Sequence, residues 1–231
     1  MFLESHSLYL PGLEPGQSLS DWGGPVDDAG PLLAFLEAKQ RRRLSKLDRL
    51  VLQVAHQIGP PEVLAERVIL FASRHGEIGT TLKLLHQWTQ GESLSPAGFS
   101  HSVHNAPAGR LSILTHNHQP ASTVSMGCDS LQAGLIEAAS LLARYPERRV
   151  LLLLADEPLA APLDLLGIEP IWPSALALDL SARVGWRLKV LPGTGAEPES
   201  AMLRLVRWIE QGGSELKLEG EQLGLLLQKA N

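Results

Sequence analysis

Apolar residues recur along this chain in two rhythms, and Pro or Gly marks most of the changes between them. From Pro31 to Ile58 they fall at three- and four-residue spacings, with Leu44, Leu47, Leu50, Val51, Val54 and Ile58 on one stripe. That period predicts an amphipathic helix against a core, ended by Pro60-Pro61. Arg67 to Ala72 (RVILFA) is instead a compact apolar run rich in strand formers, and Val150 to Ala155 (VLLLLA) an uncharged apolar run, as expected of a strand buried on both faces. Leu8 to Leu10 is a short strand candidate before a Gly/Pro/Asp-rich stretch from Glu14 to Gly30. Thr80 to Gln90 reads as a second helix. Ser95 as N-cap and Pro96 in the first turn open another, extending into the low 110s. Pro120 to Met126 is a strand, and Asp129 or Ser130 opens a helix through Arg144. Ala175 to Leu180 and Trp186 to Leu191 are further strands, expected to pair around Ser181 to Gly185. Glu199 to Gln211 and Glu219 to Lys229 are read as closing helices. No tandem repeat or low-complexity tract interrupts this order. Strands alternating with helices give an α/β sandwich with a mixed sheet.

Length and composition narrow the class. The chain has 231 residues, of which 44 % are apolar, so one large domain over residues 1–231 with a substantial core is expected. A net charge of −5 and a pI near 5.9 argue against nucleic acid as the main partner. One cysteine excludes an internal disulfide framework and fits a reducing cytoplasm. Met1-Phe2-Leu3-Glu4-Ser5-His6 has no basic region before an apolar run and does not read as a signal peptide. The longest apolar run, Val150 to Ala155, is too short to span a bilayer. A cytoplasmic protein with no membrane span is expected.

The candidate chemistry centres on Cys128, within Ser125-Met126-Gly127-Cys128-Asp129-Ser130, a strand-to-helix junction of the kind that presents a nucleophile. A thiol at a helix N-terminus gains from the positive end of the dipole, which lowers its pKa. Asp129 works the other way, because a neighbouring carboxylate disfavours a second negative charge. A reactive thiol and a buried, inert cysteine both fit this position. All eight histidines (His6, His56, His75, His86, His101, His104, His116 and His118) precede it, and residues 129–231 contain none. His101 and His104 are spaced i, i+3, and His116 and His118 form an H-x-H pair. A catalytic zinc site needs a third ligand and a carboxylate base nearby, and the sequence holds no HExxH or finger spacing. These histidines are therefore read as solvated or capping residues, and no metal and no cofactor is expected. Arg41-Arg42-Arg43 with Lys46 and Arg49 is a basic cluster, read as a solvated face or a docking surface for an acidic partner. Asp156-Glu157 closes a buried strand, where functional groups often sit, or is ordinary loop charge.

Several of these segments together resemble a family. Ser95-Pro96-Ala97-Gly98-Phe99-Ser100-His101-Ser102-Val103-His104-Asn105-Ala106-Pro107-Ala108-Gly109 is similar to the segment of β-ketoacyl synthases that precedes their nucleophile strand. Pro120 to Met126 resembles that strand, Asp129 to Ala139 the helix after it, and Val150 to Glu157 the next buried strand with its acidic end. Arg41 to Arg49 (RRRLSKLDR) and Phe71 to Gly76 (FASRHG) look like the short β-ketoacyl-synthase-like proteins of aryl polyene pigment pathways, which are chain-length-factor-like. The resemblance runs from about residue 8 to residue 180.

The resemblance implies a thiolase-like fold: the first half of a ketosynthase, with a mixed sheet sandwiched by helices and a truncated second half. Full ketosynthases take their cysteine from the first half and, from the second, two histidines that polarise the thioester carbonyl and assist decarboxylation. Those histidines have no counterpart here. One gapless placement puts Cys128 at the nucleophile position, and the other puts Gly127 there. Either way the site reads as vestigial, with no catalytic residue. The implied function is a non-catalytic subunit that pairs with a full-length β-ketoacyl synthase as a heterodimer, meeting acyl carrier protein only indirectly. By resemblance Gln119, Pro120, Ala121, Ser122, Thr123, Val124, Ser125, Met126, Asp129 and Ser130 form the partner interface and border the partner's acyl tunnel. Two alternatives from other classes stay open: an acyltransferase or thioesterase using Cys128, and a stand-alone small-molecule binding module.

Overall fold

The centre of the molecule is set by its two uncharged runs. In a computed structural model, which describes residues 1–27, 30–166, 172–195 and 200–230, both runs are interior strands. In chain order the first elements are β1 (Phe2–Tyr9), α1 (Ala38–Arg41), α2 (Lys46–Ile58), α3 (Pro61–Leu64), β2 (Val68–Ala72), α4 (Ile78–Thr89), α5 (Pro96–Ser100) and α6 (Ala106–Thr115). There follow β3 (Ala121–Val124), α7 (Ser130–Arg144), β4 (Val150–Asp156), β5 (Ser174–Ser181), β6 (Trp186–Pro192), α8 (Ala201–Glu210), β7 (Glu215–Leu218) and β8 (Leu223–Lys229). Five strands make one sheet in the order β1-β5-β4-β2-β3. Within it β4, β2 and β3 run parallel, while β5 is antiparallel to β4 and to β1. The sheet is therefore mixed, as the sequence led us to expect.

Why the two runs lack polar residues is now plain. The pleat sends Ile69, Phe71, Leu151 and Leu153 to one face, where they cluster with Leu47, Leu50, Val51 and Val54 of α2 and Leu111 of α6. Val68, Leu70, Ala72, Leu152 and Leu154 go to the other face, with Leu131, Leu135 and Ala138 of α7, Val206 of α8 and Leu225 and Leu227 of β8. No face of β2 or β4 is left for water. Helix α2 starts where a reciprocal capping box fixes it: Asp48 N–H donates to Ser45 Oγ at 2.8 Å, and Ser45 N–H to Asp48 Oδ2 at 3.1 Å.

Five expectations need correction. Residues 219–229 are not a helix; β8 lies between β6 and β7 in a second, three-stranded antiparallel sheet. Leucines at three- and four-residue spacing suggested helix, but pairing on both sides overrides that local preference. The strands β5 and β6 do not pair with each other: β5 pairs with β1 and β4, and β6 with β8. The helix from Ser95 breaks after Ser100 and restarts at Ala106, with Pro107 in its first turn. The stretch from Pro31 to Ile58 holds two helices rather than one, α1 and α2, with residues 42–45 between them. The first strand is longer than Leu8 to Leu10, covering Phe2–Tyr9. Glu199, the expected start of the first closing helix, and residues 28–29 of the Gly/Pro/Asp-rich stretch lie outside the described residues. No helix among the described residues is long and apolar enough to cross a membrane.

Candidate functional site

β3 ends in a sharp turn, and the turn is built from the residues the sequence singled out. Met126 leads into a short 3₁₀ turn, Gly127–Asp129, and α7 opens at Ser130. Gly127 takes φ +57°, the left-handed region that costs an L side chain about 1–3 kcal/mol. The special backbone conformation thus falls at Gly127, one residue before the cysteine. Ser130 Oγ locks the turn, accepting from Met126 N–H at 3.0 Å and donating to the Gly127 carbonyl at 2.7 Å. Ser125 Oγ donates to the Arg74 carbonyl at 3.1 Å, fastening the end of β3 to the loop after β2.

Asp129 does something the sequence did not announce. Only 1 % exposed, its carboxylate accepts the backbone N–H groups of Glu221 (3.0 Å), Gln222 (2.8 Å) and Leu223 (3.0 Å). It therefore anchors the entry to β8, and Gln132 adds a hydrogen bond to the Glu219 carbonyl at 2.9 Å. Both Asp129 and Ser130 are buried. Ala121 and Ser125 are exposed, and Gln119, Ser122, Thr123, Val124 and Met126 are half-buried.

Cys128 is half-buried, and its thiol is pushed up by burial, by a hydrogen bond to Glu221, and by the charges of Asp129 and Glu221. Arg74 pulls the other way without prevailing. Burial first, and the two carboxylates after it, push the thiol further above neutrality, so the sulfur is protonated at neutral pH.

A group of carboxylates lies behind the turn, at the C-terminal ends of β2 and β4. Asp156 Oδ1 accepts from Ser73 Oγ (2.8 Å), Arg74 N–H (2.7 Å) and His75 N–H (3.4 Å). Burial nevertheless raises its pKa to about 6. Glu77 is also buried and raised to about 6; it accepts from Ser45 Oγ at 2.5 Å and Thr80 Oγ1 at 2.7 Å. Sequence reasoning missed Glu77, whose one signal was its place in a loop after a buried strand. Glu157 is raised by burial, while Lys46 and Lys83 oppose the shift. Of the expected strand-end pair, Asp156 holds a loop and Glu157 lies over Gly79 at the start of α4.

The histidines do not converge. His101 contacts the Arg110 guanidinium at 2.9 Å, and His104 Nε2 lies 3.2 Å from the Ser73 carbonyl with its ring near Phe71. His116 is the left-handed C-cap of α6, and it and His118 are exposed. Among the described residues no group of three or more His, Cys, Asp or Glu is placed to hold a metal ion. In the basic cluster, Arg42 and Arg43 are exposed, whereas Arg49 is turned onto the Arg41 carbonyl at 2.7 Å.

Comparison with known proteins places this geometry. The family model described as β-ketoacyl synthase, N-terminal domain, matches residues 17–222. The structure of a ketosynthase (ApeO) in complex with its chain length factor (ApeC) from Xenorhabdus doucetiae contains a similar chain. It is 26 % identical, with a TM-score of 0.82 and 98 % of each chain covered. The ishigamide ketosynthase/chain length factor matches at 16 % identity and TM-score 0.52, over 78 % of this chain and 58 % of that one. A β-ketoacyl synthase from Burkholderia phymatum matches at 14 % and 0.50, over 81 % and 58 %. No curated protein matches. The fold is thiolase-like, that of a ketosynthase N-terminal domain.

Proposed function

Because this chain belongs to the β-ketoacyl synthase N-terminal-domain family, we propose that it works as a non-catalytic, chain-length-factor-like subunit paired with a full-length β-ketoacyl synthase. The observation that carries this reading is β3. It is an edge strand, and its hydrogen bonds to β2 run through Pro120 and Val124, whose carbonyls accept from Ile69 and Ser73. Parallel alternation then turns the main-chain groups of Ala121 and Thr123 outward. An exposed edge of this kind is a template for another strand. Two such edges related by a two-fold axis meet antiparallel and join two sheets into one. Gln119 to Met126 lie along that seam.

The chemistry of the turn agrees. The left-handed backbone at Gly127 supports reading it, rather than Cys128, as the vestigial nucleophile position; Cys128 follows, with a raised pKa beside two carboxylates. A protonated thiol in that setting is a poor acyl acceptor. In this reading the subunit acts by shape. Met126, half-buried at the end of the seam, borders the partner's acyl tunnel and limits chain length. Acyl carrier protein is met through the partner, in the cytoplasm. By resemblance the pathway is of aryl polyene type.

The test compares two prolines. Thr123→Pro removes an outward N–H and leaves the β2 ladder intact, so the chain is expected to fold alone and fail to co-purify with the full-length synthase. Ser122→Pro breaks the ladder to β2 and is expected to destabilise the chain itself. A Thr123→Pro variant that pairs as well as wild type overturns the edge-pairing reading. In the intact pair, Met126→Trp is expected to shorten the products.

A further inference from the structure

Helix α4 is twelve residues long, yet none of its residues is buried, and among the helices it packs chiefly on the short α5. Its apolar side chains do not fasten this α4–α5 lobe to the body of the molecule. A polar contact at its root does. Glu77, the residue before α4, is only 2 % exposed, and Asp48 of α2 only 3 %. Ser45 stands between them: its hydroxyl accepts from Asp48 N–H at 2.8 Å and donates to Glu77 Oε1 at 2.5 Å. Thr80 Oγ1 donates to the other Glu77 oxygen at 2.7 Å.

These bonds do not serve both carboxylates. Ser45 has a single hydroxyl hydrogen, and both carboxyl groups face it. Glu77 takes it, and Asp48 Oδ1 is left buried with no hydrogen-bond partner. Arg110 of α6 gives Asp48 Oδ2 only a long contact from Nε at 3.7 Å, and that Nε also makes no hydrogen bond. Glu157, from the loop after β4, adds a negative charge toward Glu77 and is itself faced by Lys46 and Lys83. His101, which follows α5, faces Asp48 from beside Arg110. Two buried carboxylates on different elements therefore meet across one hydroxyl, one hydrogen short of a complete set, and an unpaired buried oxygen is costly.

A proton taken up from solvent by Glu77 completes the set. The neutral carboxyl donates to Ser45 Oγ, the Ser45 hydrogen is released to Asp48, and one of two facing charges disappears. We infer that this proton is the clasp of the α4–α5 lobe: with it bound, Glu77, Ser45 and Asp48 hold the root of α4 on α2, and its loss loosens the lobe while α7 stays closed. Burial pushes the Glu77 carboxyl up to about 6. The clasp's contribution is therefore full below about pH 4 and is lost as pH rises through about 6. A positive charge gained by His101 beside the Arg110 guanidinium acts with the opposite sign, loosening α5 as pH falls.

The experiment measures amide hydrogen exchange of the full chain between pH 5 and pH 8, corrected for intrinsic rates, in wild type and in Glu77→Gln. The glutamine keeps an oxygen for Thr80 and presents N–H donors to Ser45, so it imitates the proton-bearing carboxyl. In wild type, α4 and α5 are expected to lose about tenfold in protection relative to α7 across that range, the size expected of one carboxyl moved from 4.5 to about 6. In Glu77→Gln the lobe is expected to keep its pH 5 protection throughout. A wild-type lobe whose protection ignores pH overturns the inference, as does one that opens equally in Glu77→Gln or opens together with α7. Opening as pH falls assigns the effect to His101 and also overturns it. Should Glu77→Gln fail to fold, carbon-13 titration of the wild-type Glu77 carboxyl decides. A midpoint near 6 that coincides with the loss of α4 protection supports the clasp, and a midpoint near 4.5 overturns it.

Discussion

Helices α4 and α7 invite comparison, because each follows a neighbouring parallel strand at the same end of the sheet and the two are similarly apolar. Yet α7 buries Leu131, Leu135, Ala138 and Leu142, whereas α4 buries nothing. The difference is one of neighbours rather than of sequence. α7 lies across β2 and β4 and is covered from behind by β8, so its stripe meets apolar partners on two sides. Among the other helices, α4 packs chiefly on the short α5.

That contrast can be broken from the α7 side first. Leu135→Ala removes a fully buried side chain and is expected to cost about 3 kcal/mol in denaturant unfolding, against less than about 0.5 kcal/mol for Leu85→Ala on α4. Equal losses would mean that α4 is packed in solution. Next comes Asp129→Ala, which strands three backbone donors of residues 221–223; a loss of about 2–3 kcal/mol is expected, with early exchange of β8 amides. Gly76→Ala, strained by its φ and by His104, is expected to cost about 2 kcal/mol and to loosen α4 and α5 more than α7.

The smallest effect is on pH. Asp156 titrates near 6 in the folded chain against 3.8 ordinarily, and Glu77 near 6 against 4.5. The folded state therefore holds protons that the unfolded state has already released. Their contribution to stability is full below about pH 4 and is lost as pH rises through about 6. Asp156→Asn keeps an oxygen for Ser73, Arg74 and His75, all of which use Oδ1. It is expected to flatten the pH dependence of the melting temperature between pH 4 and 6 and to raise the melting temperature modestly at pH 7.5. An unchanged slope would mean that Asp156 is solvated in the folded chain.

Much of this was readable in advance because the strongest signals are local. RVILFA was legible as a strand from its strand-forming residues and VLLLLA as one covered on both faces, and the junction at 125–130 was legible from its place between a strand and a helix. The sheet order places β3 at an edge. What escaped was decided at long range. β8 is a strand because β6 and β7 flank it and Asp129, some ninety residues earlier, holds its entry. Nothing between Glu219 and Lys229 encodes that. Asp129 was read as a partner contact by resemblance; the folded chain shows its carboxylate spent on the backbone of residues 221–223. Glu77 and the bare face of α4 were invisible for the same reason, since burial and its absence depend on which elements pack together.

Amide hydrogen exchange at Thr123, measured with and without the full-length β-ketoacyl synthase, tests the central claim most directly. Its outward N–H is expected to exchange readily in the isolated chain and to become protected by about tenfold or more in the complex, while Ser122, already bonded to β2, changes little. A complex that forms while Thr123 exchanges as fast as before would contradict pairing along this edge.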